Sequence, residues 1–178
     1  MTPMTDTALA LDLETINRLD RAGFVAALGH TFEHSAWIVD GAWAARPFAS
    51  VDALHGAMMD VVRRADVSTQ TAFLCVHPEL AGKEAAAGTM THDSVTEQAS
   101  AGLDALSGAE VAELRGLNQR YRTRHGFPFI VAVRRFTKSQ IFEQLRRRIE
   151  RDSATERDEA LAQIAAITRL RLDARLSG

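Results

Sequence analysis

The sequence contains a single cysteine, Cys75, among its 178 residues. One cysteine excludes an intramolecular disulfide, and the absence of a disulfide framework is typical of proteins from a reducing compartment, which predicts a cytoplasmic location. The first acidic residues, Asp6, Asp12 and Glu14, precede any lysine or arginine, so the basic start of a secretory signal is missing. A chain of this length can bury about two thirds of its unfolded surface, which is enough for a core that needs no disulfide.

The sequence also lacks a long apolar run and an excess of charge of one sign. No stretch of about 18 residues is free of charged side chains, which excludes an ordinary transmembrane helix. The formal net charge is -2 and the calculated pI is near 6.3, so no basic field attracts nucleic acid or an anionic membrane. We therefore expect a small-molecule or protein partner, and neither nucleic acid nor membrane.

Motifs for bound cofactors are absent. The sequence has no P-loop, no glycine-rich dinucleotide fingerprint and no G-x-S-x-G elbow. His30 and His34 are four residues apart, but no third ligand accompanies them and no H-E-x-x-H pattern is present. We interpret this pair as structural and expect neither metal nor cofactor.

Helical spacing of apolar residues recurs along most of the chain, and hairpin signals are nearly absent. The predicted fold class is therefore all-α, a single compact multi-helix domain with one short extended apolar segment. We expect residues 1–12 to be a flexible N-terminal extension and residues 13–178 to form the helical domain.

Local signals predict several helix boundaries. One or two short helices are expected over residues 15–33 with a possible break at Gly23, and a long loop is expected over residues 81–93. Gly126 is a natural residue to end a helix. The Ser-x-x-Glu pattern of a capping box occurs three times and predicts helix N-termini at Ser94, Ser107 and Ser153.

His77 lies where an apolar helix must stop, because Pro78 disfavours helical geometry at the residue before it. A histidine at a helix C-terminus can simply interact with the negative end of the helix dipole. It can also act as a general acid, since imidazole titrates near neutrality and Pro78 fixes its direction. Both interpretations remain open from the sequence.

Ser94, Glu97 and Gln98 also allow two interpretations. Ser94 and Glu97 can form a capping box and nothing more. Alternatively, Glu97 and Gln98 provide an acceptor and an amide at a helix start, beside backbone N–H groups suited to an anion.

The stretch from Phe127 to Val133 is strand-like in composition, but no second strand is available to pair with it. We expect an extended buried segment. It can be core alone, or its backbone from Phe129 onward can present N–H and C=O groups to a planar heterocycle rich in amides.

Arg171 follows Ile164 by seven residues, which places its guanidinium on or beside the apolar face of the last helix. An unpaired charge there would cost several kcal/mol, so an anionic partner is expected. That partner can be a structural carboxylate or a substrate carboxylate, for which the planar guanidinium is well suited.

Taken in order, these motifs resemble one protein family, that of 2-oxo-4-hydroxy-4-carboxy-5-ureidoimidazoline (OHCU) decarboxylase. His-Pro-Asp/Glu-Leu, Ser-x-x-Glu-Gln and Asn-x-x-Tyr followed by Gly-Phe-Pro-Phe are characteristic of that family in this order. The matching stretches are "FEHSAWI" at 32–38, "RPF" at 46–48, "HPELAGK" at 77–83, "SVTEQASAGLDAL" at 94–106, "LNQRYRTRHGFPFIVAV" at 117–133 and "ITRLRL" at 167–172.

The resemblance implies an all-helical homodimer that converts OHCU to (S)-allantoin in urate breakdown, without cofactor or metal. It implies His77 and Glu97 as catalytic residues, with His77 as the acid. Arg169 lies only two positions from Arg171, so either arginine can be the family's C-terminal arginine. The residues expected to bind substrate are Pro78, Ser94, Val95, Thr96, Glu97, Gln98, Phe129, Ile130, Val131, Ala132, Val133 and Arg171.

Two other functions remain compatible with the sequence. The chain can be a non-catalytic helical module that binds a purine-derived metabolite, although the presence of His77, Glu97 and Gln98 argues against this. It can also decarboxylate a different ureido or imidazoline acid.

Overall fold

The computed structural model describes residues 11–176 of the chain. Residues 1–10 and 177–178 lie outside the described residues, and with them most of the predicted N-terminal extension. The last two residues of that predicted extension do form contacts: Leu11 bridges Leu176, and the Asp12 carboxylate accepts a hydrogen bond from the Thr15 N–H at the start of the first helix.

Between residues 11 and 176 the chain forms ten α-helices and no β-strand, which confirms the predicted all-α fold class. None of these helices combines the length and the apolar character that a membrane span requires. The helices are α1 (Leu13–Arg18), α2 (Arg21–Leu28), α3 (Ala36–Ala42), α4 (Val51–Arg64), α5 (Val67–Cys75), α6 (Lys83–Ala87), α7 (His92–Ser100), α8 (Gly108–His125), α9 (Lys138–Ile149) and α10 (Ser153–Arg175).

The helices group into two compact units. Unit 1 comprises Met1–Val61 and Arg169–Gly178, of which residues 11–61 and 169–176 are described. Its core is apolar and includes Phe24 and Phe48, whose rings stack with centroids 6.2 Å apart.

Unit 2 comprises Val62–Thr168 and contains α5 to α9 with most of α10. Its core contains an aromatic cluster around Tyr121, whose ring meets Phe129 edge-on at 5.4 Å and lies 4.5 Å from the His125 ring. The buried segment that begins at residue 127 runs from the end of α8 to the 3-10 turn Val133–Arg135 without forming a strand, as predicted from the lack of a second strand to pair with it. Unit 2 therefore holds His77, α7 and the extended segment together.

The predicted ends of α8 are confirmed. Ser107 and Glu110 form a complete capping box at its N-terminus, and Gly126 ends it in the left-handed conformation at φ 80°. A residue with a Cβ would be strained there, so glycine is the natural choice.

Two boundary predictions in the loops are wrong. The break expected at Gly23 falls instead at Leu19 and Asp20, because the Asp20 carboxylate caps α2 by accepting from the Gly23 N–H. The long loop expected over residues 81–93 is interrupted by α6, since Lys-Glu-Ala-Ala-Ala is a strongly helix-favouring sequence.

Two of the three predicted capping boxes are also wrong. The Thr91 hydroxyl caps α7, so Ser94 and Glu97 both lie inside the helix. The Asp152 carboxylate accepts from the N–H groups of Ala154 and Thr155 at the start of α10, in place of Ser153. In both cases a capping side chain occurs earlier in the sequence than the serine, and the helix starts from it.

Candidate functional site

α5 carries the chain to His77. The Asp66 carboxylate caps this helix by accepting from the Thr69 N–H, a hydrogen bond that lowers the pKa of Asp66 below its ordinary 3.8. The helix ends at Cys75, two residues before His77, so the predicted stop ahead of Pro78 is confirmed. His77 is 8% exposed, which places its ring inside unit 2 and not in solvent.

The His77 ring is oriented by the last turn of α5. Its Nδ1 lies 3.2 Å from the carbonyl oxygen of Phe73, and the Phe73 ring meets it edge-on at 5.2 Å. A carbonyl oxygen only accepts, so Nδ1 carries a proton in either charge state. Proton exchange is thereby assigned to Nε2. The contact with the helix end that the structural interpretation requires is present, and it also fixes the tautomer that acid catalysis requires.

The chain after His77 turns back sharply over residues 78–82. Ala81 has a positive φ of 45°, which is rare for a residue with a Cβ. A Cβ on Gly82 would lie 2.7 Å from the Cβ of Glu79, so only glycine fits there. We call residues 78–82 the His-Pro turn.

One face of α7 is directed into unit 2. Ser94 and Gln98 are buried and Glu97 is half-buried, whereas Val95 and Thr96 are exposed. The Thr91 hydroxyl donates to the Ser94 hydroxyl at 3.2 Å. The predicted site residues of α7 are thus divided between an inner face and an outer one.

Gln98 connects α7 to the His-Pro turn. Its Oε1 accepts from the Ala81 N–H at 2.9 Å, and its Nε2 donates to the Glu79 carbonyl at 3.4 Å. α7 also contacts the single 3-10 turn Val133–Arg135 that closes the extended segment. The three sequence segments predicted to form the site are therefore linked through α7.

The extended segment is buried from Phe129 to Val133. Two of its backbone groups are bound by side chains: the Ile130 carbonyl accepts from Arg148 Nη1, and the Ala132 N–H donates to Gln163 Oε1, both at 2.9 Å. Within the described residues, no hydrogen bond uses the N–H groups of Ile130 and Val131. A buried backbone donor usually has a partner, so these two groups are suited to a polar ligand.

Arg171 belongs to unit 1, where its predicted anionic partner is present. Its Nη1 lies 3.5 Å from Oε2 of Glu33, which is 1% exposed, and it donates to the Thr31 carbonyl at 3.2 Å. Arg169 is half-exposed and pairs with Asp52 and Asp173. The expected contact of Arg171 with a substrate stays a prediction from the sequence.

A network of buried charged side chains contacts the extended segment. It was not predicted from the sequence. Arg148 donates through Nε to Glu156 at 2.9 Å and through Nη1 to the Ile130 carbonyl, with its guanidinium 4.6 Å from the Phe129 ring. The Tyr121 hydroxyl donates to the same Glu156 oxygen at 2.6 Å. Nothing in the sequence indicated this pair, because Glu156 matches the last position of an apparent capping box and Arg148 is one of three consecutive arginines.

Asn118 and Arg122, which the sequence did not mark as candidate site residues, contact the His-Pro turn. The Asn118 side chain donates to the Leu80 carbonyl at 3.1 Å, and Arg122 pairs with the Glu79 carboxylate at 2.7 Å. The signal was available for Asn118, because it shares a helix face with Leu117 and Tyr121, where a polar residue needs a reason.

Side chains suited to a metal do not converge in the described part of the chain: between residues 11 and 176, no three histidine, cysteine, aspartate or glutamate residues are grouped so that they could hold an ion. His34 lies 3.9 Å from the buried Glu33, and His30, the histidine four residues before it, is exposed.

Residues 17–173 match the family described as OHCU decarboxylase. The chain belongs to the OHCU decarboxylase family. A 2-oxo-4-hydroxy-4-carboxy-5-ureidoimidazoline decarboxylase of Haloferax volcanii is 40% identical over 94% of this chain and 97% of its own length. A uric acid degradation bifunctional protein of Bacillus subtilis is 41% identical over 90% of this chain, which spans 32% of that longer protein.

Solved structures share the fold of this chain. The structure of an (S)-allantoin synthase superposes with a TM-score of 0.72 and 26% identity, covering 93% of this chain and 54% of that one. An OHCU decarboxylase crystallised in the presence of (S)-allantoin superposes with a TM-score of 0.64 and shares the fold at 20% identity.

Proposed function

We propose that the protein is a carboxy-lyase that decarboxylates OHCU to (S)-allantoin in urate degradation, with His77 as its acid. The family membership supports the reaction, since relatives that carry this activity in their names align over nearly the whole chain. The observation that carries the assignment to His77 is its buried ring, whose Nδ1–H is held by the Phe73 carbonyl.

The substrate itself provides the electron sink. One ring carbon of OHCU bears a hydroxyl and the carboxylate, and its neighbour is part of a C=N bond. When the bond to the carboxylate breaks, its electron pair forms a C=C bond between the two carbons and moves the C=N pair onto nitrogen, which takes up a proton. The hydroxyl then loses its proton to become a carbonyl, and the neighbouring carbon gains a proton. One carbon dioxide leaves and one proton is taken up in total.

His77 is suited to supply the proton that the neighbouring ring carbon gains. Because Nδ1–H is bound to Phe73, a protonated His77 donates from Nε2 in one fixed direction, and delivery to one face of a planar intermediate makes one stereoisomer. Positioned general acids typically contribute about 10² to 10⁴ in rate.

Ser94, Glu97 and the extended segment are suited to hold the ring. The N–H groups of Ile130 and Val131 can donate to carbonyl oxygens of the substrate, and Glu97 can accept from its ureido or ring N–H groups. Gln98 Oε1 has a second lone pair beyond the one used by Ala81. Fixing these groups before reaction supplies several kcal/mol of the barrier reduction.

His77→Asn tests whether His77 is the acid. The variant should fold, because asparagine can keep a hydrogen bond to Phe73, and should lose about 10²- to 10⁴-fold in kcat. The measurement uses OHCU generated in place and follows the circular dichroism of the allantoin formed, since spontaneous decay gives racemic product without a signal.

His30→Asn is the matched control, because His30 is exposed in unit 1 and should tolerate the same change without loss of rate. Wild-type turnover in His77→Asn would show that His77 is not the acid. If the wild-type protein binds OHCU without turnover, it is a binding module. If it turns over only a different ureido acid, that acid and not OHCU is its substrate.

We further propose that the enzyme acts as a homodimer in the cytoplasm. The family resemblance supports the dimer, and the lone cysteine supports a reducing compartment. Sedimentation equilibrium of the purified chain tests the dimer directly, and a monomer at working concentration would contradict it.

A further inference from the structure

We propose that Asn118 is a positioning residue for His77, which acts by clamping the His-Pro turn together with Gln98 and Arg122. The inference rests on the proposed function, because it gives a role to the direction of the His77 ring. It adds a part to the site that neither the sequence motifs nor the comparisons assign.

The His-Pro turn needs external support. Ala81 is held in the left-handed region at φ 45°, which costs free energy for any residue with a Cβ. Gly82 is packed so closely on Glu79 that no side chain fits. Such a conformation persists only where surrounding contacts impose it, and backbone strain of this kind is concentrated at functional sites.

Three side chains from two helices impose it. Gln98 on α7 binds both the Ala81 N–H and the Glu79 carbonyl. Asn118 on α8 donates to the Leu80 carbonyl at 3.1 Å, and Arg122, one helical turn later, pairs with the Glu79 carboxylate. Every residue from 79 to 81 is therefore held by a polar side chain.

Asn118 is an unfavourable residue at this position if only the stability of the fold is considered. It is 5% exposed, and its Oδ1 is buried without a hydrogen-bond partner among the described residues. A buried acceptor without a partner loses its hydration and gains nothing in return. Leucine of similar size would avoid that loss on a helix face that already carries Leu117 and Tyr121.

The clamp acts on His77 through the backbone. The ring is held at Nδ1 by the Phe73 carbonyl, and the His77 backbone continues directly into Pro78 and the rest of the His-Pro turn. If the turn relaxes, the Cα–Cβ bond of His77 rotates relative to the substrate. A misplacement of about 1 Å can cost about 10²-fold in rate without removing a catalytic group.

The test compares Asn118→Leu and Asn118→Asp with wild type. Both remove the donor to Leu80, and we expect kcat to fall about 10- to 100-fold while KM changes less, because Glu97 and the extended segment stay in place. Leucine removes the unpaired Oδ1 but also the donor to the Leu80 carbonyl, so the thermal midpoint should stay close to wild type. Gln119→Leu is the matched control, since Gln119 is an exposed amide on the same helix.

A second readout does not depend on turnover. The protein has six histidines, and the His77 ring resonance is the one missing from the NMR spectrum of His77→Asn. In the ligand-free Asn118 variants this resonance should move and titrate at a different pH, while those of the other imidazoles stay. This separates the two proposals, since it reports on the clamp even if His77 proves not to be the acid.

Several results would overturn the clamp: an unchanged kcat, a rise in KM alone, which would indicate substrate contact, or an unmoved His77 resonance. If the Asn118 variants fail to fold, Arg122→Met tests the same turn from a side chain that is 40% exposed. It should lower kcat and shift the His77 resonance in the same direction, and an unchanged pair of values would contradict the proposal.

Discussion

The two ring nitrogens of His77 have different surroundings, and that difference follows from where α5 ends. The last carbonyls of a helix have no partners within it, and a histidine that follows can donate to one of them. In doing so it commits Nδ1, and the proton donation proposed for His77 falls to Nε2. A common structural contact at a helix end thus provides the fixed tautomer that directional proton delivery requires.

Glu97 is the residue whose interpretation changes most between sequence and structure. It is not part of a capping box, and it lies beyond the first turn of α7, where the helix dipole has little effect. Glu97→Gln should therefore leave the thermal midpoint close to wild type. Losing a hydrogen bond to a charged group corresponds to about 1.5–3 kcal/mol, so kcat/KM should fall roughly 10- to 100-fold.

Steady-state kinetics and thermal unfolding of the same preparation check this prediction. Glu14→Gln is the control, because Glu14 is an exposed helical glutamate in unit 1 that should matter for neither quantity. Unchanged kinetics in Glu97→Gln would leave this carboxylate outside the reaction.

At the scale of elements, a buried ion pair joins α9 to α10 within unit 2. Arg148 on α9 and Glu156 on α10 are 1% and 0% exposed, and Tyr121 on α8 bonds to the same carboxylate. The guanidinium also binds the Ile130 carbonyl, so three helices and the extended segment meet at one charge pair. A buried pair contributes little net stability, but breaking it is costly because the buried Glu156 carboxylate then keeps only the Tyr121 hydroxyl and the partly exposed Arg151.

Arg148→Met should lower the free energy of unfolding by about 3–5 kcal/mol. Arg148→Met with Glu156→Leu should recover part of that loss, because no buried charge is then left alone. Denaturant unfolding measures both. Arg151→Met is the control: Arg151 reaches Glu156 at 3.4 Å from a partly exposed position and should cost at most about 1 kcal/mol. A double variant less stable than the single one would contradict this account.

At the scale of the whole molecule, the protein has a single tyrosine, and it is fully buried. Burial, and then the hydrogen bond to Glu156, raise the pKa of Tyr121 above its ordinary 10.0. The folded state therefore favours the neutral phenol. The stability that this provides is present below pH 10 and is lost as the pH rises further, toward the pKa of the folded state.

We expect tyrosinate to form only when the protein unfolds. In an alkaline titration, the ultraviolet absorbance of tyrosinate and the loss of helical circular dichroism should therefore change together. Tyr121→Phe should give no tyrosinate signal and should unfold with a weaker pH dependence above pH 10. Tyrosinate absorbance in a protein that retains its helical signal would show that the phenol ionises in the folded state.

Much of the site could be predicted from the sequence, because its motifs are local. Pro78 disfavours a continuation of α5, Gly126 ends α8, and the buried apolar segment, which has no second strand to pair with, forms no strand. Helix starts were less predictable. Thr91 and Ser94 both have capping side chains, and the choice between them depends on which residues of α7 must be buried.

The sequence by itself determined the helical class, the segment that carries His77, and the family, since these depend on the order and spacing of residues along one chain. Only the tertiary structure decided the partners: Phe73 for Nδ1 of His77, Glu156 for Arg148, and Asn118 for the His-Pro turn. The physical reason is that hydrogen bonds and ion pairs are short-range. Local spacing fixes which way a side chain points, but the packing of helices remote in sequence fixes what it meets.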